Sequence, residues 1–162
     1  MNYIVSASTD IGNTKQTNQD SLNVKVMTIN GEKAVLAILC DGMGGLQKGE
    51  VASASVVKAF CGWAVGRLPL LYAGLSNDVI RQEWASLVSE YNTKLAIYGK
   101  KSAITLGTTL TVMLFAGPNY YIGHVGDSRA YEITSGVTVL TKDQTVVERE
   151  VEQGILTREQ AA

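Results

Sequence analysis

Seven apolar residues, Ala34 to Cys40, run without a break into Asp41 and then into glycine (Asp41-Gly42-Met43-Gly44-Gly45-Leu46-Gln47-Lys48), and this junction constrains the chain more than any other stretch. An apolar run of that length suits a strand buried on both faces. It would carry Asp41 to the margin of a dry core, where a carboxylate needs a partner. Gly42, Gly44 and Gly45 remove the side chains that would keep a cation or a phosphate from the backbone, and they permit positive φ in the turn. A carboxylate with a backbone carbonyl is hard oxygen ligation, better suited to Mg²⁺ or Mn²⁺ than to zinc. The alternative for the same residues is a helix-entry turn in which Asp41 caps the following helix.

The surrounding pattern places this junction in an α+β chain. Tyr3 to Ser8 and Leu22 to Thr28 have strand length and spacing, with Leu22, Val24 and Val26 on one face, and Asn30-Gly31 predicts a hairpin into Ala34 to Cys40. Ala52, Val56, Ala59, Phe60 and Trp63 fall on one helical stripe, and Ile80, Trp84, Leu87, Tyr91, Leu95 and Tyr98 on a second; aromatic residues at this spacing are core packing. Strands return at Thr108 to Ala116 and Tyr120 to Val125, followed by a hairpin from Arg129 to Leu140 turning at Ser135-Gly136. Val146 to Gln153 reads as a helix stopped by Gly154, and Thr157 to Gln160 has the form of a capping box. Strands, two helices and strands again predict antiparallel sheets covered by a helix pair, in one domain spanning residues 1–162.

Composition narrows the function classes. A formal charge of −1 without a basic run argues against nucleic acid or an anionic membrane as the main partner. The two cysteines, Cys40 and Cys61, sit in apolar patterns and imply no disulfide framework. No charged flank precedes an apolar stretch at the N-terminus, and no segment approaches the roughly 18 apolar residues of a membrane helix, so a cytoplasmic location is expected. GxSxG, CxxC and Walker patterns are absent from the sequence, and nothing indicates a protein nucleophile.

Three aspartates stand at strand ends beside turn residues: Asp20 before Leu22, Asp41, and Asp127 within Gly126-Asp127-Ser128-Arg129. Gathered together they would repel one another unless divalent ions lay between them. Taken singly, Asp127 can be a turn residue paired with Arg129 or Ser128, and Asp20 an Asx-type turn residue after Asn18. Lys15, on a loop with Gly12, Asn13 and Thr14, is placed to reach an anion bound near such ions. His124, the only histidine, fits a hydrogen-bonded structural role better than ligation of a hard metal.

Four segments in order carry a resemblance: Gly12-Asn13-Thr14-Lys15-Gln16-Thr17-Asn18-Gln19-Asp20; Cys40 to Gly45 with Gly49-Glu50-Val51-Ala52-Ser53; Gly107-Thr108-Thr109; and Gly123-His124-Val125-Gly126-Asp127-Ser128-Arg129-Ala130-Tyr131. Together they resemble the metal-dependent serine/threonine protein phosphatases of the 2C type, bacterial branch. The resemblance implies a four-layer α-β-β-α sandwich of two antiparallel sheets flanked by helix pairs, truncated here at the C-terminus. It implies a site with two or three Mn²⁺ or Mg²⁺ ions, with Asp20, Asp41, the carbonyl of Gly42 and Asp127 as metal residues and Lys15, Asp20 and Asp41 as catalytic ones. Phosphoserine or phosphothreonine in a protein would be hydrolysed by a metal-bound water, the substrates being a bacterial serine/threonine kinase or its targets. Lys15 stands where most members have an arginine, giving a point charge without the bidentate fork. Met43 stands where some carry a histidine. The family continues with further strands and at least two more aspartates, so the chain is expected to be weakly active or inactive alone and inclined to dimerise through an open sheet edge. The alternative is a non-catalytic module of the same fold that binds a partner or phosphoprotein.

Overall fold

The computed structural model describes residues 2–13, 15–43, 48–155, 157 and 159–160. Asn30 and Gly31 both take positive φ, 52° and 83°, which is the two-residue turn whose twist matches paired strands. The turn joins β1 (Asp20–Ile29) to β2 (Glu32–Met43), and the register runs from Ile29 opposite Glu32 to Asp20 opposite Asp41. On the other side of β2 lies β4 (Leu110–Ala116), with β5 (Asn119–Val125) beyond it. The order β1-β2-β4-β5 is antiparallel throughout, and a two-residue strand β3 (Gly107–Thr108) pairs with Gly42 and Met43. A second antiparallel sheet is the hairpin of β6 (Tyr131–Ile133) and β7 (Val137–Val139). The chain is therefore mixed α+β with two antiparallel sheets and helices, as its pattern predicts.

One face of the larger sheet makes the core. Ala34, Leu36, Ile38 and Cys40 of β2 pack with Leu110, Val112 and Leu114 of β4 under α1 (Gly49–Gly66) and α3 (Asn77–Ser102). The α1 stripe Ala52, Val56, Ala59, Phe60 and Trp63 is buried throughout. On α3, Ile80 and Trp84 are buried, whereas Leu87, Tyr91 and Leu95 are half-buried against the core. Trp84 meets Phe60 and Trp63 edge-on at 5.9 and 5.8 Å, the geometry that the ring quadrupole favours. Between the helices lie the short α2 (Leu68–Leu71) and a 3₁₀ turn, Tyr72–Gly74. Ser76 caps α3, accepting from the Val79 N–H, and Ala103 ends it in the left-handed region.

Helix α4 (Val146–Glu152) is capped by Thr145 and followed by Gly154 at φ 72°. Thr157 and Gln160 exchange the two bonds of a capping box, 2.9 and 3.2 Å. Among the described residues no single helix is long and apolar enough to cross a membrane.

Three expectations need correction. Tyr3 to Ser8 is not a strand: Tyr3 leans on Phe115 with ring centroids 6.2 Å apart, but Ile4 is fully exposed and no strand pairs with the segment among the described residues. Alternation gives a tendency to extend, which becomes a strand only where an edge is within reach. β2 is fully buried on one face only: helices cover that face, whereas on the other burial falls from Val35, 4% exposed, to Leu39, 44% exposed. Nor does β2 stop at Cys40, since pairing with β1 and β3 carries it through Asp41 and Gly42 to Met43.

Candidate active site

The hairpin register sets Asp20 directly opposite Asp41 at the open end of β1 and β2. Each is held from its own side. An Asx turn precedes Asp20, whose N–H donates to Asn18 Oδ1 at 3.0 Å. The buried Ser53 hydroxyl of α1 donates to the Gln19 carbonyl at 2.6 Å and pairs with the Ser21 hydroxyl at 2.9 Å. Asp41 is fixed through its backbone, its N–H donating to Thr109 Oγ1 at 2.9 Å. Its carbonyl accepts from the Thr109 N–H at 2.9 Å and from the Thr108 hydroxyl at 3.0 Å. The Asp41 carboxylate is thereby left to the site.

Gly42 has a different purpose from the one its sequence context suggests. It lies within a strand and is not among the residues with positive φ. A Cβ there would fall 2.3 Å from the Gly49 carbonyl oxygen and 2.5 Å from that of Gln19. The missing side chain lets the start of α1 press onto the end of β2, and the Gly42 N–H donates to Gln19 O at 3.1 Å. Gly44 and Gly45 lie outside the described residues. The capping alternative for Asp41 is not realised: Lys48 occupies the N-cap of α1 at φ 78° with no side-chain cap.

Thr109 also reaches the turn that carries Asp127. Its hydroxyl lies 2.9 Å from Ser128 Oγ, and Gly126, at φ 109°, has no room for a Cβ because Thr109 Cγ2 would be 2.7 Å away. Neither turn partnership considered for Asp127 forms. Arg129 instead grips Asp143 in a two-pronged pair at 2.9 and 2.7 Å, and Asp127 is exposed with no hydrogen bond among the described residues. His124 is engaged at both ring nitrogens, Nδ1 with Thr111 Oγ1 and Nε2 donating to the Gly126 carbonyl, each at 3.0 Å. It braces the same turn. Cys40 is inert, its thiol pushed up to about 12 by burial.

The charges that meet at the strand ends are Asp20, Asp41 and Lys15. Burial pushes the Asp41 carboxyl above the ordinary aspartate range, Asp20 pushes it further by charge and hydrogen bonding, and Lys15 opposes both. Two facing carboxylates thus lack a neutralising partner beyond one exposed lysine, a deficit that a divalent cation would remove. The donors are all oxygens, and among the described residues no group of three His, Cys, Asp or Glu side chains is assembled to hold an ion. The set fits a hard cation bound largely through water, and does not fit zinc. Thr109 and Ser53 are positioning residues to which sequence reasoning gave no role and which no local pattern marks; Ser128, considered as a turn partner of Asp127, pairs with Thr109 instead.

The protein phosphatase 2C family model matches residues 12–156. The chain belongs to this family. It is 33% identical to the serine/threonine protein phosphatase PstP of Mycobacterium tuberculosis, with 96% of this chain and 28% of that protein covered. Identity to the protein phosphatase PhpP of Streptococcus pneumoniae is 32%, covering 97% of this chain and 61% of that protein. Among solved structures, the serine/threonine phosphatase of S. agalactiae superposes with a TM-score of 0.76 at 30% identity, covering 93% of this chain and 60% of that one. The catalytic domain of PstP in complex with two manganese ions superposes with a TM-score of 0.69 at 32% identity, covering 93% and 60%. The chain thus spans less than two thirds of the length of these relatives.

Proposed function

We propose that the Asp20–Asp41 end of the sheet takes part in hydrolysing phosphoserine or phosphothreonine in proteins, with Mn²⁺ or Mg²⁺ as cofactor. The observation that carries this reading is the register that opposes the two carboxylates with Lys15 acting on Asp41. Asp20, Asp41 and the Gly42 carbonyl are the groups that would hold the cation, and Asp127, one residue from the Thr109–Ser128 contact, the group that would border it. When bound, such an ion supplies neutralisation of phosphoryl oxygens and a water acidic enough to lose its proton near neutral pH. Lys15 contributes a point charge that draws the substrate phosphate towards the carboxylates. Thr109, bonded to Asp41 on one side and Ser128 on the other, keeps the strand end and the Asp127 turn in fixed relation. Two facing carboxylates bind a hydrated ion weakly, so turnover by these residues alone is expected to be slow and to need millimolar metal.

The test is phosphate release from a phosphothreonine peptide in Mn²⁺, alongside calorimetric titration of the metal. Asp41→Asn should abolish the heat of Mn²⁺ binding and lower release by at least about 100-fold, the scale on which loss of one electrostatic group acts. A wild-type chain that binds the peptide but releases no phosphate at any metal concentration would replace this reading with the second one. That reading is a phosphatase-like binding module, favoured because among the described residues no third acid, Asp127 included, is grouped with the pair closely enough to ligate one ion with them.

A further inference from the structure

Two hollows lie along α3, one of about 570 Å³ beside β5 and one of about 670 Å³ towards the β2–β3 end. Both are lined by Phe60, Ala85, Val88, Leu110 and Val125, so they form one groove. At one end the groove is bordered by Asn77 and Arg81, and at the other it reaches Met43 and Thr108, close in the chain or the ladder to Asp41. Its first half follows β5 residue by residue from Tyr120 to Val125.

Among the described residues that strand edge is open from Tyr120 to Ile122. The Thr109 N–H points to β2, where it meets the Asp41 carbonyl, and in an antiparallel ladder successive residues point to alternate sides. Leu110, Val112 and Leu114 therefore direct their backbone groups to β5, where they face Val125, Gly123 and Tyr121. The N–H and C=O groups of Tyr120, Ile122 and His124 point the other way; Gln144 Nε2 donates to the His124 carbonyl at 3.4 Å, and no partner meets Tyr120 or Ile122 among the described residues. The strand carries no lysine, proline or acidic residue that would discourage an added strand. Trp84, whose buried indole N–H has no acceptor among the described residues, lines the same half of the groove. Arg81 is exposed, forms no ion pair among the described residues, and is the one Lys or Arg among the residues lining either hollow.

We propose that this groove docks an extended peptide segment of a partner protein, added as a strand to the outer edge of β5, with apolar side chains in the groove and an acidic one beside Arg81. Backbone pairing supplies the general affinity, and the hollow and the guanidinium supply selection. A second copy of this chain is the poorer occupant, because pairing β5 with β5 would leave the hollow unfilled: Tyr121 of each copy already sits in its own core. The proposal concerns binding and does not depend on hydrolysis.

The probe is a fluorescein-labelled nine-residue peptide alternating valine and threonine, with one glutamate in place of a threonine, followed by anisotropy without added metal. Saturable binding is expected. Arg81→Glu should weaken it by about tenfold, and a peptide with lysine in place of the glutamate should recover the loss. Ala85→Trp, at an exposed helix position where the two hollows meet, should abolish binding while leaving the amide NMR spectrum dispersed. Ile122→Pro removes an outward N–H that the β4–β5 ladder does not use, and should weaken binding by a similar factor of about ten. The proposal is overturned if the wild-type chain shows no saturation at millimolar peptide, or if Ala85→Trp binds normally. It is equally overturned if sedimentation finds a dimer that Ile122→Pro dissolves, since a second copy would then own the edge.

Discussion

Two glycines on the same pair of elements have opposite consequences. At Gly42 any side chain must displace backbone, because the nearest atoms are the carbonyl oxygens of Gly49 and Gln19 at 2.3 and 2.5 Å. Gly42→Ala should therefore push α1 away from β2 and lower the unfolding free energy in urea by about 1–3 kcal/mol, the usual cost of overpacking. Gly62 lies within α1, exposed, with nothing within 4 Å of where its Cβ would be. Gly62→Ala should raise stability by roughly 0.5–1 kcal/mol, since alanine loses less backbone freedom in a helix. Equal effects from the two substitutions would mean that the Gly42–Gly49 approach is not what keeps Gly42 small. The Asp-Gly sequence signals a special position without saying which atom imposes it. Asp20, Asp41 and Lys15 were legible as candidates because each is a polar residue beside turn residues, and the hairpin register then joins the first two. The roles of Thr109 and Ser53 were not legible, because a single hydroxyl has no local pattern and its partners lie 68 and 34 residues away in sequence.

At the scale of elements, α1 and α3 are fastened by Glu83. Its carboxylate accepts from Trp63 Nε1 at 3.0 Å and from Arg67 Nε and Nη2 at 3.2 and 2.6 Å. The Arg67 guanidinium holds the Glu83 carboxyl below the usual glutamate range, with smaller help from Trp63. A carboxylate whose folded pKa is depressed stabilises the fold fully above its unfolded value, about 4.3 for glutamate, and that contribution disappears as pH falls through the folded value. Glu83→Gln should thus cost about 1 kcal/mol at pH 7, the worth of a partly exposed charged hydrogen bond. The gap between the two proteins in urea midpoints should close as the buffer is taken below pH 4. A gap that persists in acid would assign the loss to packing. Pairings of this kind are invisible in a sequence, whereas the elements they join are not. Asn30-Gly31 and the two apolar stripes are local signals, read over a few residues, and they placed β1, β2, α1 and α3. The Tyr3–Ser8 segment has an equally good local signal but no strand paired with it among the described residues, which is why alternation alone misled there.

For the molecule as a whole, stability is unevenly distributed because only one face of the larger sheet is covered by helices. On the other face Val35 is buried, Leu22 and Val24 are half-buried, and Val26 and Leu39 are exposed. Tyr3 reaches Phe115, and Tyr131 and Leu140 border a small hollow with Met113 and Tyr120, so the cover there is partial. The β6–β7 hairpin is weaker still: all six of its strand residues are exposed, and a lone two-stranded sheet is marginal in water. What retains it is the bond from the Leu140 N–H to the Ala130 carbonyl, the Thr141 hydroxyl on the Ala130 N–H, and the Arg129–Asp143 pair. Arg129 is exposed and Leu140, Thr141 and Asp143 are only half-buried, so the hairpin should open without the sheet behind it. Native-state hydrogen exchange should then give two classes of amide. Those of Leu36, Ile38, Val112 and Leu114, buried in the central strands, should exchange only through global unfolding and respond to urea with the full slope. Those of Tyr131 to Val139 should exchange through local opening with almost no urea dependence. If the two classes exchanged at one rate and with one slope, the hairpin would be part of the same cooperative unit as β2 and β4, and its few polar ties would have to be worth far more than exposed bonds normally are.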